Sequence, residues 1–216
     1  MIHQEKVGLI KESLVEMIHI ADYSVKYKKT DTKKWGLNAG NGILGFPASV
    51  ILFSAIDCIG SVFSENNNFK ITIDGKQREI KSTSQHIYIL NSKYFKLDLT
   101  QIDLDNIYNN VRSTLTHNSL IPEGYQLQIG ENEKLPFNIG INENDKRIYF
   151  VNLIPLLGAT KKAIEIFIND LDCGHIDFIA SAICQKIEKR DVKTPMYYDT
   201  KKPGQFTIII KKWIKK

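Results

Sequence analysis

The chain has 216 residues, of which 43% are apolar and 25% charged, proportions of a globular protein and not of collagen, a disordered tail or a disulfide scaffold. With 29 Lys+Arg against 24 Asp+Glu the formal net charge is +5, which permits a polyanionic partner without requiring one. Cys58, Cys173 and Cys184 are far apart and show no Cys-x-x-Cys spacing, so neither a disulfide framework nor a zinc ribbon is expected.

Residues 3–27 read as a helix, because Val7, Ile10, Leu14, Met17, Ile18 and Ala21 recur at spacings of three and four. The basic run from Lys26 to Lys34 reads as a loop and leads into the glycine-rich stretch Gly36–Gly45. Within it, Gly40-Asn-Gly-Ile-Leu-Gly45 matches G-x-G-x-x-G. A dinucleotide site needs a strand immediately before that pattern, and residues 30–37 have no strand alternation, so the stretch is read as a loop entering the next helix. That helix starts near Pro47 and runs to Phe63. It is apolar on most sides and should be the central, most buried helix. Pro47, Ser49, Ser54, Asp57 and Gly60 interrupt it, which argues against a membrane span.

Residues 69–81 alternate around Asp74-Gly75, a hairpin signal. Residues 82–95 lean to helix, and a further helix is expected over 101–117. After Pro122, Tyr125–Ile129, Phe137–Ile141 and Arg147–Val151 read as short strands separated by polar turns. Helices are expected near 156–171 and 175–189, the second with Ile176, Ile179, Ile183 and Ile187 on one stripe. The tail from Gln205 reads as a strand with a basic end. The expected architecture is mainly α: a single domain over 1–216, a helical bundle with inserted β-hairpins near 69–81 and 125–151, a C-terminal strand, and a basic tail over 193–216. The N-terminus has no signal-peptide pattern, so a cytoplasmic location is expected and no membrane association.

The sharpest local feature is Asn109-Asn-Val-Arg-Ser-Thr-Leu-Thr-His-Asn118. Leu104, Ile107, Tyr108, Val111 and Leu115 form the stripe that must face the core. At about 100° per residue Arg112 lies roughly 80° from the centre of that stripe and His117 roughly 140° from it, so neither should be a core residue. Such a face is either a site or a solvated surface. The five histidines form no HxH or HxxxH pair, and Asp172, His175 and Asp177 around Gly174 read as helix punctuation, so no metal or cofactor is expected. Lysines beside aromatics, in the 26–34 loop and in the tail near Tyr197, Tyr198 and Trp213, suit phosphate contact with base stacking, or simply a solvated surface.

Arg112-Ser-Thr-Leu-Thr-His117, near the end of a helix and followed by Asn118, resembles the R-x4–6-H motif of the HEPN domain family. The texture of Ser54-Ala-Ile-Asp-Cys-Ile-Gly60 resembles the buried helix of those proteins. The resemblance covers residues 3–120 and the later helices. It implies a metal-independent endoribonuclease, working in bacterial defence or a toxin–antitoxin setting, as a homodimer whose two motifs line one cleft. The implied partners are RNA and, as candidates, an antitoxin or a nucleotidyltransferase. Arg112 would hold the phosphate through a fork matched to oxyanions, and His117 would move protons near neutral pH. Asn109, Ser113 and Asn118 are candidate substrate contacts, and Asn118 equally a helix cap. Many active members carry Asn, Asp or His directly after the Arg, whereas this chain has Ser113. That departure keeps open a non-catalytic HEPN-like RNA-binding or dimerisation module. A helical protein with no nucleic-acid role is the third alternative.

Overall fold

The computed structural model describes residues 3–36, 40, 42–118, 120–141, 143–176 and 181. The observed class is mainly α with two small sheets. The helix expected over 175–189, except for His175, Ile176 and Ser181, and the C-terminal strand with its basic tail lie outside the described residues.

Helix α1 (His3–Lys26) buries Leu14, Ala21 and Val25, the inward edge of its periodic stripe. Helix α3 (Gly45–Val62) is the central element: Ala48, Leu52, Phe53, Ala55, Ile56 and Ile59 are all buried, and the helix packs against both α1 and α6 (Leu153–Asp172). By length and composition α3 could cross a membrane, yet more than half of it is covered by its own fold, as in a core helix. Helix α6 closes the layer with Leu156, Ala163, Ile164 and Phe167. Aromatic rings lock the far end: Phe63 stacks on Phe69 at 3.8 Å, and Phe167 meets Phe63 and Tyr94 edge-on at 6.3 and 5.9 Å.

The basic segment after α1 is not wholly loop. Thr32–Trp35 forms a single helical turn, α2, because the Asp31 carboxylate accepts hydrogen bonds from the Lys33 and Lys34 backbone N–H groups at its start. No strand precedes the glycine-rich stretch among the described residues; α2 does, and α3 begins directly at Gly45.

Strands β1 (Ile71–Ile73) and β2 (Lys76–Arg78) form the expected antiparallel hairpin. Asp74 and Gly75 both take positive φ, 49° and 71°, the geometry of a two-residue type I′ turn. The segment expected as helix over 82–95 is helical in the tighter 3₁₀ form over Thr83–Asn91. Its last residue, Asn91, exchanges two side-chain hydrogen bonds with the Leu99 backbone at 2.6 and 2.8 Å, and this fixes where the next helix starts.

That next helix is a continuous rod of three parts: α4 (Gln101–Asn106), a π-helical segment (Ile107–Arg112) and α5 (Ser113–Asn118). Thr100 and Asp103 form a reciprocal capping box at its start, and the hairpin tip joins in, since Asp74 accepts from the Gln101 backbone N–H at 3.1 Å. Leu104, Ile107, Val111 and Leu115 are buried, as their spacing predicts.

The 125–151 region is not built of hairpins alone. Strands β3 (Tyr125–Gln128), β4 (Phe137–Ile141) and β5 (Arg147–Asn152) lie in the order β3-β5-β4. The β4–β5 pair is an antiparallel hairpin, but β3 runs parallel to β5. The parallel pair is possible because β4 is crossed over rather than placed between its sequence neighbours. The Tyr125 and Tyr149 rings stack at 5.1 Å on the face toward the π segment, where Asn110 donates to the Tyr125 hydroxyl at 2.8 Å.

Candidate functional site

A charged cluster sits where α3, the 3₁₀ segment and the π segment meet. Asp57 is the one charged residue of α3, in its second half, and a carboxylate there must find partners. It finds two. Arg112 Nη2 donates to Asp57 Oδ2 at 2.8 Å, and His86 Nδ1 is 3.1 Å from Asp57 Oδ1. An ionised carboxylate only accepts, so the His86 Nδ1 carries a proton and donates it to Asp57. The side chains of Arg112, Asp57 and His86 are 17%, 26% and 11% exposed, so the cluster is partly sheltered from water. Arg112 is also held by its own helix, its guanidinium lying 5.4 Å from the centre of the Tyr108 ring.

Gly60, one turn after Asp57, is what lets His86 come so close. A Cβ at position 60 would stand 2.3 Å from the His86 carbonyl oxygen.

Burial by itself would raise the Asp57 carboxyl. The hydrogen bond from His86 and the positive charge of Arg112 outweigh it and hold the group below the ordinary carboxylate value. Neighbouring Cys58 is affected in the opposite sense: burial and the Asp57 charge push its thiol up to about 11, so it is not a nucleophile at neutral pH. A carboxylate whose folded pKa is depressed contributes stability that is complete above its unfolded pKa and is lost as pH falls through the folded value. Asp57→Asn is therefore expected to destabilise the protein by about 2 kcal/mol at pH 7, the scale of a charge-assisted hydrogen bond. The gap should close as the pH drops below about 4. Denaturant unfolding at pH 7 and at pH 3 measures it. Asp22 and Asp170, lowered by ion pairs of their own, are present in both proteins and cancel in the difference.

Of the residues singled out from sequence, Arg112 is half-buried and outside the apolar core, as expected, with its guanidinium directed to Asp57. Arg112 is the last residue of the π segment, whose wider turn advances each residue by less than about 100°. A π segment of this kind is frequent at functional sites. His117 is exposed, as its position on the helix wheel predicts. Arg112 and His117 thus face different surroundings within this chain and do not form a compact pair. Ser113 is half-buried beside Arg112 and Asn109 is exposed. Asn118 ends α5, and its side chain lies outside the described residues. His175 and Asp172 are engaged at the end of α6, with Asp170 and Lys11 respectively, as helix punctuation; Asp177 lies outside the described residues.

Sequence reading missed Asp57 and His86 as members of the cluster. For Asp57 the signal was present, since a lone carboxylate in a buried helix is rarely without a cation. His86 had no such signal, because its segment had no clear periodicity.

No protein-family model, no curated protein and no solved structure matches the chain.

Proposed function

We propose that the chain is a HEPN-type, metal-independent endoribonuclease of the cytoplasm, acting in bacterial defence or a toxin–antitoxin setting, with Arg112 and His117 as its catalytic residues. The observation that supports this reading is the combination of an Arg112 oriented by Asp57 with an exposed His117 at the end of the same helical rod. A guanidinium carries five N–H donors, and the bond to Asp57 engages one of its nitrogens. The remaining donors can take the non-bridging oxygens of a phosphate and oppose the charge that grows on them. In the reaction the ribose 2′-oxygen bonds to phosphorus and the bond from phosphorus to the 5′-oxygen breaks. The products are a 2′,3′-cyclic phosphate and a 5′-hydroxyl. His117 removes the proton from the 2′-hydroxyl or delivers one to the departing oxygen. Since Arg112 and His117 diverge within one chain, a homodimer that brings Arg112 of one copy to His117 of the other completes the pair. Asn109, Ser113 and Asn118 would contact the RNA beside them, and an antitoxin or nucleotidyltransferase would be the protein partner.

The test is incubation of the purified protein with end-labelled RNA and analysis of the ends produced. Cyclic-phosphate ends are expected, with a loss of rate of about 10²–10⁴-fold in His117→Ala, the usual contribution of a general acid or base. Equal cleavage by the wild type and His117→Ala ends this assignment.

The ion pair of Arg112 favours a second reading. A guanidinium with its charge already answered by Asp57 is also what a non-catalytic HEPN-like RNA-binding or dimerisation module would contain. Salt-sensitive RNA binding with no cleavage selects that reading.

A further inference from the structure

We infer that Tyr23, Tyr27 and Trp35, flanked by Lys29, Lys33 and Lys34, form a stacking platform for single-stranded RNA, separate from the Arg112 cluster. The inference rests on the reading of RNA as the ligand and names the form it takes, but it does not depend on cleavage.

The aromatic groups form a row. The Tyr23 and Tyr27 rings are 5.9 Å apart at the end of α1, and the Trp35 ring from α2 is 6.1 Å from Tyr27. Tyr23 is 62% exposed, an aromatic surface that a folding core would ordinarily cover. The cations converge on the same row. Lys29 and Lys34 each place the ammonium 5.3 Å from the centre of the Trp35 ring, and Lys34 also lies 6.0 Å from Tyr27. Lys33 is exposed alongside.

The nearby carboxylates do not neutralise them. Asp22 is occupied by Lys26 and Lys161, and Asp31 caps α2. Lys29, Lys33 and Lys34 have no carboxylate partner among the described residues. The Trp35 indole Nε1 is buried with no acceptor, an unanswered donor in the same place.

Cations without counter-charges, set around one exposed ring and two half-buried ones, are what a single strand requires: phosphates meet the lysines, and unpaired bases stack on the rings. A duplex keeps its bases stacked on each other and can use the lysines alone. The platform stands near the beginning of α3, where the Leu44 backbone N–H donates to Ser24 at 3.2 Å. Asp57 lies roughly 20 Å further along that helix at about 1.5 Å per residue. A strand held at the platform would therefore reach the Arg112 cluster several nucleotides away.

The experiment uses a 2′-O-methyl RNA 12-mer, which binds but offers no 2′-hydroxyl to cleave, and protein carrying Trp213→Phe so that Trp35 is the remaining one of the two tryptophans. Saturable quenching of Trp35 fluorescence is expected. Tyr23→Ala should weaken binding roughly tenfold through lost stacking. The triple change Lys29→Ala, Lys33→Ala, Lys34→Ala should lower the slope of log affinity against log salt by about 2, at about 0.7 per phosphate contact. Absence of quenching, unchanged affinity and salt slope in both variants, or equal binding of a duplex of the same sequence overturns the platform. If wild type cleaves ordinary RNA while these variants bind as well as it does, the platform falls and the endoribonuclease stands. Quenching without cleavage gives the reverse.

Discussion

Arg112→Ala is expected to slow RNA cleavage by about 10²–10³-fold, the loss found when one pre-aligned donor is removed from a developing oxyanion. Two effects are superimposed and must be separated. In the proposed reaction, removing the guanidinium takes donors from the phosphate, and it also leaves Asp57 with His86 as its remaining partner. The second effect lowers stability by about 2 kcal/mol and lets burial carry the Asp57 carboxyl upward. Arg112→Lys distinguishes them. Lysine can restore the charge opposite Asp57, and with it most of the stability, but an ammonium lacks the planar fork that can hold a carboxylate and a phosphate together. Near-wild-type unfolding with strongly reduced cleavage in Arg112→Lys identifies a catalytic arginine. Full cleavage by a folded Arg112→Ala protein would falsify that role.

Gly60→Ala is expected to destabilise the protein by about 3 kcal/mol, at the upper end for a forced insertion into a packed interior. The new Cβ would meet His86 carbonyl oxygen, carbon and Cα at 2.3, 2.8 and 2.9 Å, all backbone atoms that cannot rotate aside. The 3₁₀ segment must lift from α3, which draws His86 away from Asp57. In thermal unfolding this corresponds to a fall of roughly 6–12 °C for a chain of this size. Gly158→Ala in α6 is the control, because a Cβ there meets nothing within 4 Å and alanine favours a helix. A Gly60→Ala protein as stable as wild type would show that the close approach of His86 is not obligatory.

The helical frame was legible because periodicity reports on one face at a time. Leu104, Ile107, Val111 and Leu115 read as a buried stripe and are buried; the same logic found α1, α3, α6 and the Asp74-Gly75 hairpin. Where local chemistry overrode the pattern, reading failed. Asp31 caps a helical turn inside a lysine run that reads as loop. The parallel pairing of β3 with β5 was not legible either, since alternation marks a strand but not its neighbour.

The candidate site divides in the same way. Sequence alone determined that Arg112 and His117 share one helix, five residues apart, and that an acidic residue and a glycine interrupt the central apolar helix. It did so because these are statements about neighbours along the chain, which helix geometry converts directly into positions. The tertiary structure alone decided that Asp57 joins Arg112 to His86, residues 55 and 29 positions away from it, and that His117 stays outside that cluster. Those partnerships arise from packing three separate elements on one another. A buried carboxylate announces that it needs a cation, but only the fold determines which one arrives.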